Sequence, residues 1–140
     1  MIVIVDQITK ILAENILCNG HGIDITSWFH LILSYNTGAA WNILSGHSYI
    51  LAILGIIILI YCILLYRRWQ SKQERWALPF ICGGILGNTI DRVIYGHVID
   101  FISIDIWNYR WPTFNIADSA IFIGVIILLF TFDKKVQKDR

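Results

Sequence analysis

From His47 to Tyr66 the chain carries no formal charge when His47 is neutral, and almost every residue is apolar. About 20 such residues are what a helix needs to cross the hydrocarbon core of a bilayer. Three further segments approach this pattern. Trp76 to Tyr95 is apolar up to Leu86 and then polar at Asn88, Asp91 and Arg92. Phe122 to Phe132 is the dense part of another run that starts near Ile116. Met1 to Leu17 is the weakest, broken by Asp6, Gln7, Lys10, Glu14 and Asn15. Composition agrees with a lipid setting: 56% of the 140 residues are hydrophobic and 15% charged, against about half and about a quarter in soluble domains.

The expected fold is an all-α membrane protein: one domain over 1–140, a four-transmembrane-helix bundle with spans about 1–17, 47–66, 76–95 and 116–132. Outer loops are expected about 19–46 and 98–113. The first segment lacks a basic lead, and Asp6 and Lys10 interrupt it, so a cleaved signal peptide is not expected. Those two residues are four apart, so on a helix they share a face and can pair. Arg67, Arg68, Lys72 and Arg75 separate spans two and three, and Lys134, Lys135, Lys138 and Arg140 follow span four. The excess of Lys and Arg puts both groups, and both termini, in the cytoplasm. Ile25 to Tyr35, β-branched and aromatic between Gly and Asn, reads as one or two short extracytoplasmic strands. Trp107, Tyr109 and Trp111 suggest that the second outer loop lies on the membrane surface.

Several function classes find no support. A net charge of +1 gives no field to attract nucleic acid. Cys18, Cys62 and Cys82 are odd in number and form no CxxC, so neither a disulfide framework nor a thiolate metal site is expected. The histidines at 21, 30, 47 and 97 form no HExxH, so no metal or other cofactor is expected.

Polar groups in a membrane are costly, a charge within a span roughly 2.5–3.5 kcal/mol, yet polar residues recur here in blocks: Asp6-Gln7-Ile8-Thr9-Lys10, Asn36-Thr37-Gly38-Ala39-Ala40, Gly83 to Arg92, Val98 to Phe101 and Phe114 to Ser119. The last four blocks fall at the outer face. Asp100 sits just beyond span three and Asp118 just inside span four, so the two can face each other across a cleft. Two close carboxylates share a proton. The ionised one can take a proton from an attacking water while the protonated one donates to the carbonyl oxygen or leaving amine.

Each signal also has a plainer reading. Asp118 with Ser119 suits a helix N-cap. Asp91-Arg92 suits a structural pair. Asn36-Thr37-Gly38 suits a turn. Asp105 suits a solvated surface charge. A small proton-coupled transporter is the main rival, but transport sites usually lie near the midplane between repeated halves, and no repeat is present. A non-catalytic assembly subunit would use the glycines for helix packing but leaves the outer aspartates unexplained.

The blocks resemble those of the bacterial lipoprotein signal peptidases, also called signal peptidase II or prolipoprotein signal peptidase. The elements are Asp6-Gln7-x-Thr9-Lys10, Asn36-Thr37-Gly38-Ala39-Ala40-Trp41, Gly84-x-x-Gly87-Asn88-x-x-Asp91-Arg92, Gly96-x-Val98-x-Asp100-Phe101 and Phe114-Asn115-x-Ala117-Asp118-Ser119. The resemblance implies an inner-membrane aspartic endopeptidase that cuts a prolipoprotein before its diacylglyceryl-cysteine. It implies Asp100 and Asp118 as the catalytic pair. It implies Asn88, Arg92 and Asn115 as polar residues lining the site, and Asp6, Lys10, Asn36 and Gly84 as motif residues around it. It also implies a small extracytoplasmic β element and a lipid-facing loop. The expected partners are a diacylglyceryl-modified prolipoprotein and membrane lipid, with the protein a monomer. Two departures stand out. Only five residues precede Asp6, where the family usually has a longer apolar lead, which leaves a short first span or a chain without its natural start. Asn42 follows Trp41 where glycine is common, and a local turn difference is expected.

Overall fold

The structure, a computed structural model, describes residues 1–39, 43–66, 72–107 and 109–138, with backbone only for 72–74 and 132–138. Four helices form its frame: α1 (Ile2–Leu17), α2 (Ser48–Tyr66), α3 (Lys72–Tyr95) and α4 (Ile116–Lys138). Each segment expected as a span falls on one of these helices, with α3 starting earlier and α4 running further than expected. Asn42 and the turn expected there lie outside the described residues. So do Arg67, Arg68 and Arg140, and the side chains of Lys72, Lys134, Lys135 and Lys138 are likewise not described.

Two helical stretches, Ser48–Tyr66 and Arg75–Tyr95, are long and apolar enough to cross a membrane, and Ile116–Thr131 is a shorter apolar one. At 16 residues, α1 rises about 24 Å, short of the ~30 Å hydrocarbon core. Its pattern is nevertheless inverted relative to a helix in water. The buried positions are Asp6, Lys10, Ala13 and Leu17, spaced by one turn each, while Ile4, Ile8, Ile11 and Ile16 are exposed. A helix that turns charges inward and isoleucines outward suits an apolar solvent, where ionisable groups face the bundle interior. In α2 only Ser48, Ala52 and Cys62 are buried among nineteen residues. That leaves an apolar surface far larger than soluble monomers tolerate.

Close helix contact comes from glycine. A Cβ on Gly84 would collide with the Ala117 carbonyl oxygen and with Ile121, and one on Gly87 would stand 2.5 Å from Asp6 Oδ2. These two residues let α3 accept α4 on one side and α1 on the other, as small residues do between membrane helices.

The β element is larger than the sequence suggests. Strands β1 (Ile23–Asp24), β2 (Phe29–Asn36), β3 (Val98–Ile106) and β4 (Tyr109–Arg110) form one antiparallel sheet in the order β1-β2-β3-β4. The region 98–113, expected as a loop, thus begins with the longest strand. Gly96, at φ +74°, turns the chain from α3 into β3; that left-handed conformation suits glycine. Register pairs Ser34 with Asp100 and Asn36 with Val98, with an irregularity between Leu31 and Ser34. The segment leading into α4 is tied to the same strand: Ile102 N donates to Phe114 O at 2.9 Å, and Phe114 N to Ile102 O at 3.0 Å. The start of α4 is therefore held beside Asp100 by backbone bonds.

Candidate active site

Asp100 and Asp118 come from different elements and meet through one residue. Asn115 Nδ2 donates to Asp100 Oδ1 at 2.7 Å, and its backbone N donates to Asp118 Oδ2 at 3.2 Å. In return the Asp118 N–H donates to Asn115 Oδ1 at 2.9 Å. That reciprocity is a capping box at the start of α4, with Asn115 as the cap and Asp118 three residues on. The plain expectation of Asp118 as the N-cap is corrected by one turn. Its carboxylate reaches back to the cap residue, and its other oxygen faces α3.

The remaining carboxylate oxygens also have donors. Asn36 Nδ2 donates to Asp100 Oδ2 at 3.1 Å, and Asn88 Nδ2 to Asp118 Oδ1 at 2.7 Å. Both amides are fixed in orientation by their own oxygens. Asn88 Oδ1 accepts from Asn115 Nδ2 at 3.0 Å and from Lys10 Nζ at 2.9 Å. Asn36 Oδ1 accepts from Gly38 N at 2.9 Å. The Asn36-Thr37-Gly38 turn expected from sequence is thus also a clasp on Asp100.

Asp100 is 1% exposed. Burial pushes its carboxyl up to about 7, the charge of Asp118 adds to the rise, and the bonds from Asn36 and Asn115 oppose it. Desolvation wins because neutral amide donors recover only part of what water gave the carboxylate.

A second polar layer lies behind the first. Lys10 Nζ contacts Asp6 Oδ2 at 2.8 Å and Asp91 Oδ2 at 2.9 Å, with all three side chains buried. The Asp6–Lys10 pairing on one helix face is as the spacing suggested. Asp91 does not pair with Arg92, because neighbours on a helix point about 100° apart. Asp91 serves Lys10, and Arg92 Nη2 donates to Gly38 O at 3.0 Å. Gln7, which sequence reasoning left without a role, donates from Nε2 to Asp91 Oδ1 at 2.8 Å. Its position one residue after Asp6 within a polar block was the available signal.

Every residue expected at the site is therefore brought to one place. Asp100, Asp118, Asn36, Asn88 and Arg92 line a cavity of about 880 Å³. Asn115, Lys10 and Asp6 stand behind them, and Gly84 makes room for α4. Trp111, Phe114 and Phe122 give the cavity an apolar wall. A cleft with an apolar wall and a few converging polar groups suits a ligand with both apolar and polar parts. Among the described residues, no group of three or more His, Cys, Asp or Glu is arranged to hold a metal ion.

Asp105 is a surface charge, as expected, and is also paired. It accepts from Arg110 Nε at 2.8 Å and Nη2 at 2.9 Å, and His30 Nε2 lies 3.4 Å away. Trp107 is almost wholly exposed, with Tyr109 and Trp111 exposed beside it.

Comparison with known proteins points the same way. A family model described as signal peptidase (SPase) II matches residues 1–133. The chain is similar to the lipoprotein signal peptidase of Janthinobacterium sp. (strain Marseille), at 42% identity over 99% of this chain and 87% of the relative. It is also similar to that of Paraburkholderia phytofirmans, at 39% identity over 100% of this chain and 84% of the relative. Among solved structures it resembles a bacterial membrane enzyme determined by the in meso method at 2.3 Å resolution. The TM-score is 0.88 at 35% identity, covering 99% of this chain and 87% of that one. A second such enzyme, at 1.9 Å resolution, gives a TM-score of 0.84 at 36% identity over 94% and 86%.

Proposed function

This chain belongs to the signal peptidase II family, and on that footing we propose that it is an aspartic endopeptidase in which Asp100 and Asp118 are the catalytic pair. The family removes signal peptides from prolipoproteins. The observation that carries the aspartic assignment is the sharing of Asn115 between two buried or half-buried carboxylates that open on one cavity.

The chemistry follows from one proton shared by the pair. The ionised carboxylate takes a proton from water as the water oxygen bonds to the scissile carbonyl carbon. The protonated carboxyl gives its proton to the carbonyl oxygen, and a neutral tetrahedral diol results. The carboxyl that took the water proton then returns it to the peptide nitrogen while the other carboxylate takes a proton from a diol hydroxyl. The C–N bond breaks, leaving a carboxyl on the signal peptide, an amine on the cysteine and the pair again sharing one proton. The shared proton belongs to the pair, so neither residue has a fixed title of acid or base. Asn88, Asn115 and Asn36 hold the carboxylates with their donors already aimed, so little reorganisation is needed during the reaction. Arg92, bonded to Gly38 O, lines the same cleft and supports the peptide.

The substrate reading is a peptide whose cysteine carries a diacylglyceryl group. Its acyl chains stay in lipid against the apolar wall while the scissile bond reaches the polar floor. Water exclusion there strengthens the field of the pair. The helices make four spans of the bacterial inner membrane, with both termini cytoplasmic, the sheet and site at the outer face, and the protein a monomer. Reporter fusions at Arg140 and in the 19–46 loop test that orientation; an external C-terminus would reverse it.

The decisive assay is cleavage of a diacylglyceryl-cysteine peptide by purified protein, with the mass of the new N-terminus determined. Asp100→Asn and Asp118→Asn are each expected to abolish cleavage while the protein remains inserted and folded. Retained cleavage by either variant sinks the assignment.

A further inference from the structure

The buried layer beneath the pair has a connectivity that goes beyond filling space. Asp6 Oδ1 accepts from the Ala117 N–H at 2.8 Å, and Ala117 immediately precedes Asp118. Asp91 Oδ2 accepts from the Ile99 N–H at 3.1 Å, and Ile99 immediately precedes Asp100. The second oxygen of Asp6, and the oxygen of Asp91 that holds Ile99, both contact Lys10 Nζ, at 2.8 and 2.9 Å. The third ammonium contact is Asn88 Oδ1, whose amide reaches Asp118. One ammonium thus joins two carboxylates, and each carboxylate grips the backbone N–H of the residue just before one member of the pair.

We infer that Lys10, with Asp6 and Asp91, is a clamp that sets the separation of Asp100 and Asp118, so that Lys10 is a positioning residue for the reaction. The inference rests on the reading of Asp100 and Asp118 as the catalytic pair. Two features favour a clamp over simple charge neutralisation. The layer holds two carboxylates for one ammonium, so it does not neutralise itself. A membrane helix obtains the same packing from apolar residues at no desolvation cost, so three buried charges on two helices are retained for what they hold. What they hold is backbone from β3 and α4, elements that are also joined near the site by the Phe114 bridge and by the Asn115 amide.

Charge and geometry are separable by experiment. The charged groups facing this cluster are Asp6 from α1, Asp91 and Arg92 from α3, Asp100 from β3 and Asp118 from α4. Lys10→Met alone leaves the layer with an extra net negative charge. The double variant Lys10→Met with Asp91→Asn keeps the net charge of the natural layer but has no ammonium to join the two sides. It also avoids burying a second uncompensated carboxylate, so it is the variant expected to fold. Its kcat for the diacylglyceryl-cysteine peptide is expected to fall roughly 100-fold, the effect of about 1 Å of misplacement. KM and the pH limbs should stay near those of the natural protein. Lys10→Met, where it folds, is expected to lose kcat as well and to move both limbs to higher pH by roughly one to three units, as an unneutralised neighbouring charge does.

A crystal structure of the double variant gives a readout that needs no turnover. The Asp100 and Asp118 carboxyl groups are expected to stand farther apart or out of line. A double variant with the natural kcat, or with the pair unmoved, overturns the clamp. Failure of the natural protein itself to cleave the peptide refutes the peptidase reading instead, and the structure of the variant still decides the clamp.

Discussion

Replacing Asn115 with serine separates two jobs that this residue performs. A serine hydroxyl still caps α4, since serine and asparagine are comparable N-caps. The amide arm is lost, and with it the 2.7 Å bond to Asp100 Oδ1 and the 3.0 Å bond to Asn88 Oδ1. A hydrogen bond to a charged group contributes roughly 1.5–3 kcal/mol, which corresponds to about one to two pH units at 1.36 kcal/mol per unit. The Asp100 carboxyl, already pushed up to about 7, is therefore expected to titrate higher still in the variant. In the proposed mechanism loss of the shared proton sets the alkaline limb of kcat/KM, so that limb should move up by the same shift of about one to two units while the helix stays capped. The assay is the pH–rate profile of peptide cleavage, with thermal unfolding in detergent as the control for capping. An alkaline limb that stays in place or moves down would falsify the view that Asn115 stabilises ionised Asp100.

Further outcomes follow from the same contacts. Asp100 has a folded value above its ordinary 3.8, so its contribution to stability is complete below about pH 4 and is lost as pH rises through about 7. The difference of about three units bounds this at roughly 4 kcal/mol, and Asp100→Asn is expected to flatten the corresponding fall in melting temperature between pH 4 and 7. Gly84→Ala drives a methyl group into the Ala117 carbonyl oxygen; overpacking of this kind costs about 1–3 kcal/mol, and cleavage should fall with it because α4 carries Asp118. A Gly84→Ala protein with natural melting temperature and rate contradicts the packing. Arg110→Ala removes an exposed pair with Asp105; solvent screens exposed pairs so that they contribute little, so little change is expected in the melting temperature, and a large loss of stability argues against that reading.

The helices were legible because a lipid solvent demands long uncharged runs, and α2 meets the demand without interruption. The site was legible because charges inside such runs need a reason. The strand β3 was not. Its first four residues, Val98, Ile99, Asp100 and Phe101, are all buried, so the period-two alternation that marks a half-exposed strand is missing. Two aspartates in nine residues also read as a loop, since aspartate is depleted in strands. The partner of Asp91 was hidden for a different reason. Local spacing offered Arg92 next door, whereas the true partner, Lys10, sits on another helix and is found only by folding the chain. Likewise the capping box was visible as Asn115 and Asp118 three apart, but its first member was taken for a lining residue only.

The bond from the Ala117 N–H to Asp6 joins positions 111 apart in the chain, and that distance bears on biogenesis. The clamp takes its lysine from the first helix and its farthest grip from the last. A nascent chain with three helices inserted therefore has neither Asp118 nor the contact that holds it. If Asp118 is one of the catalytic pair, as proposed, proteolytic competence would arrive in a single step, when α4 enters the bundle. On the proposed reading a peptidase assembled this way would stay inert until its last helix is in place, and co-expression of residues 1–46 with 47–140 offers a means of watching the step occur.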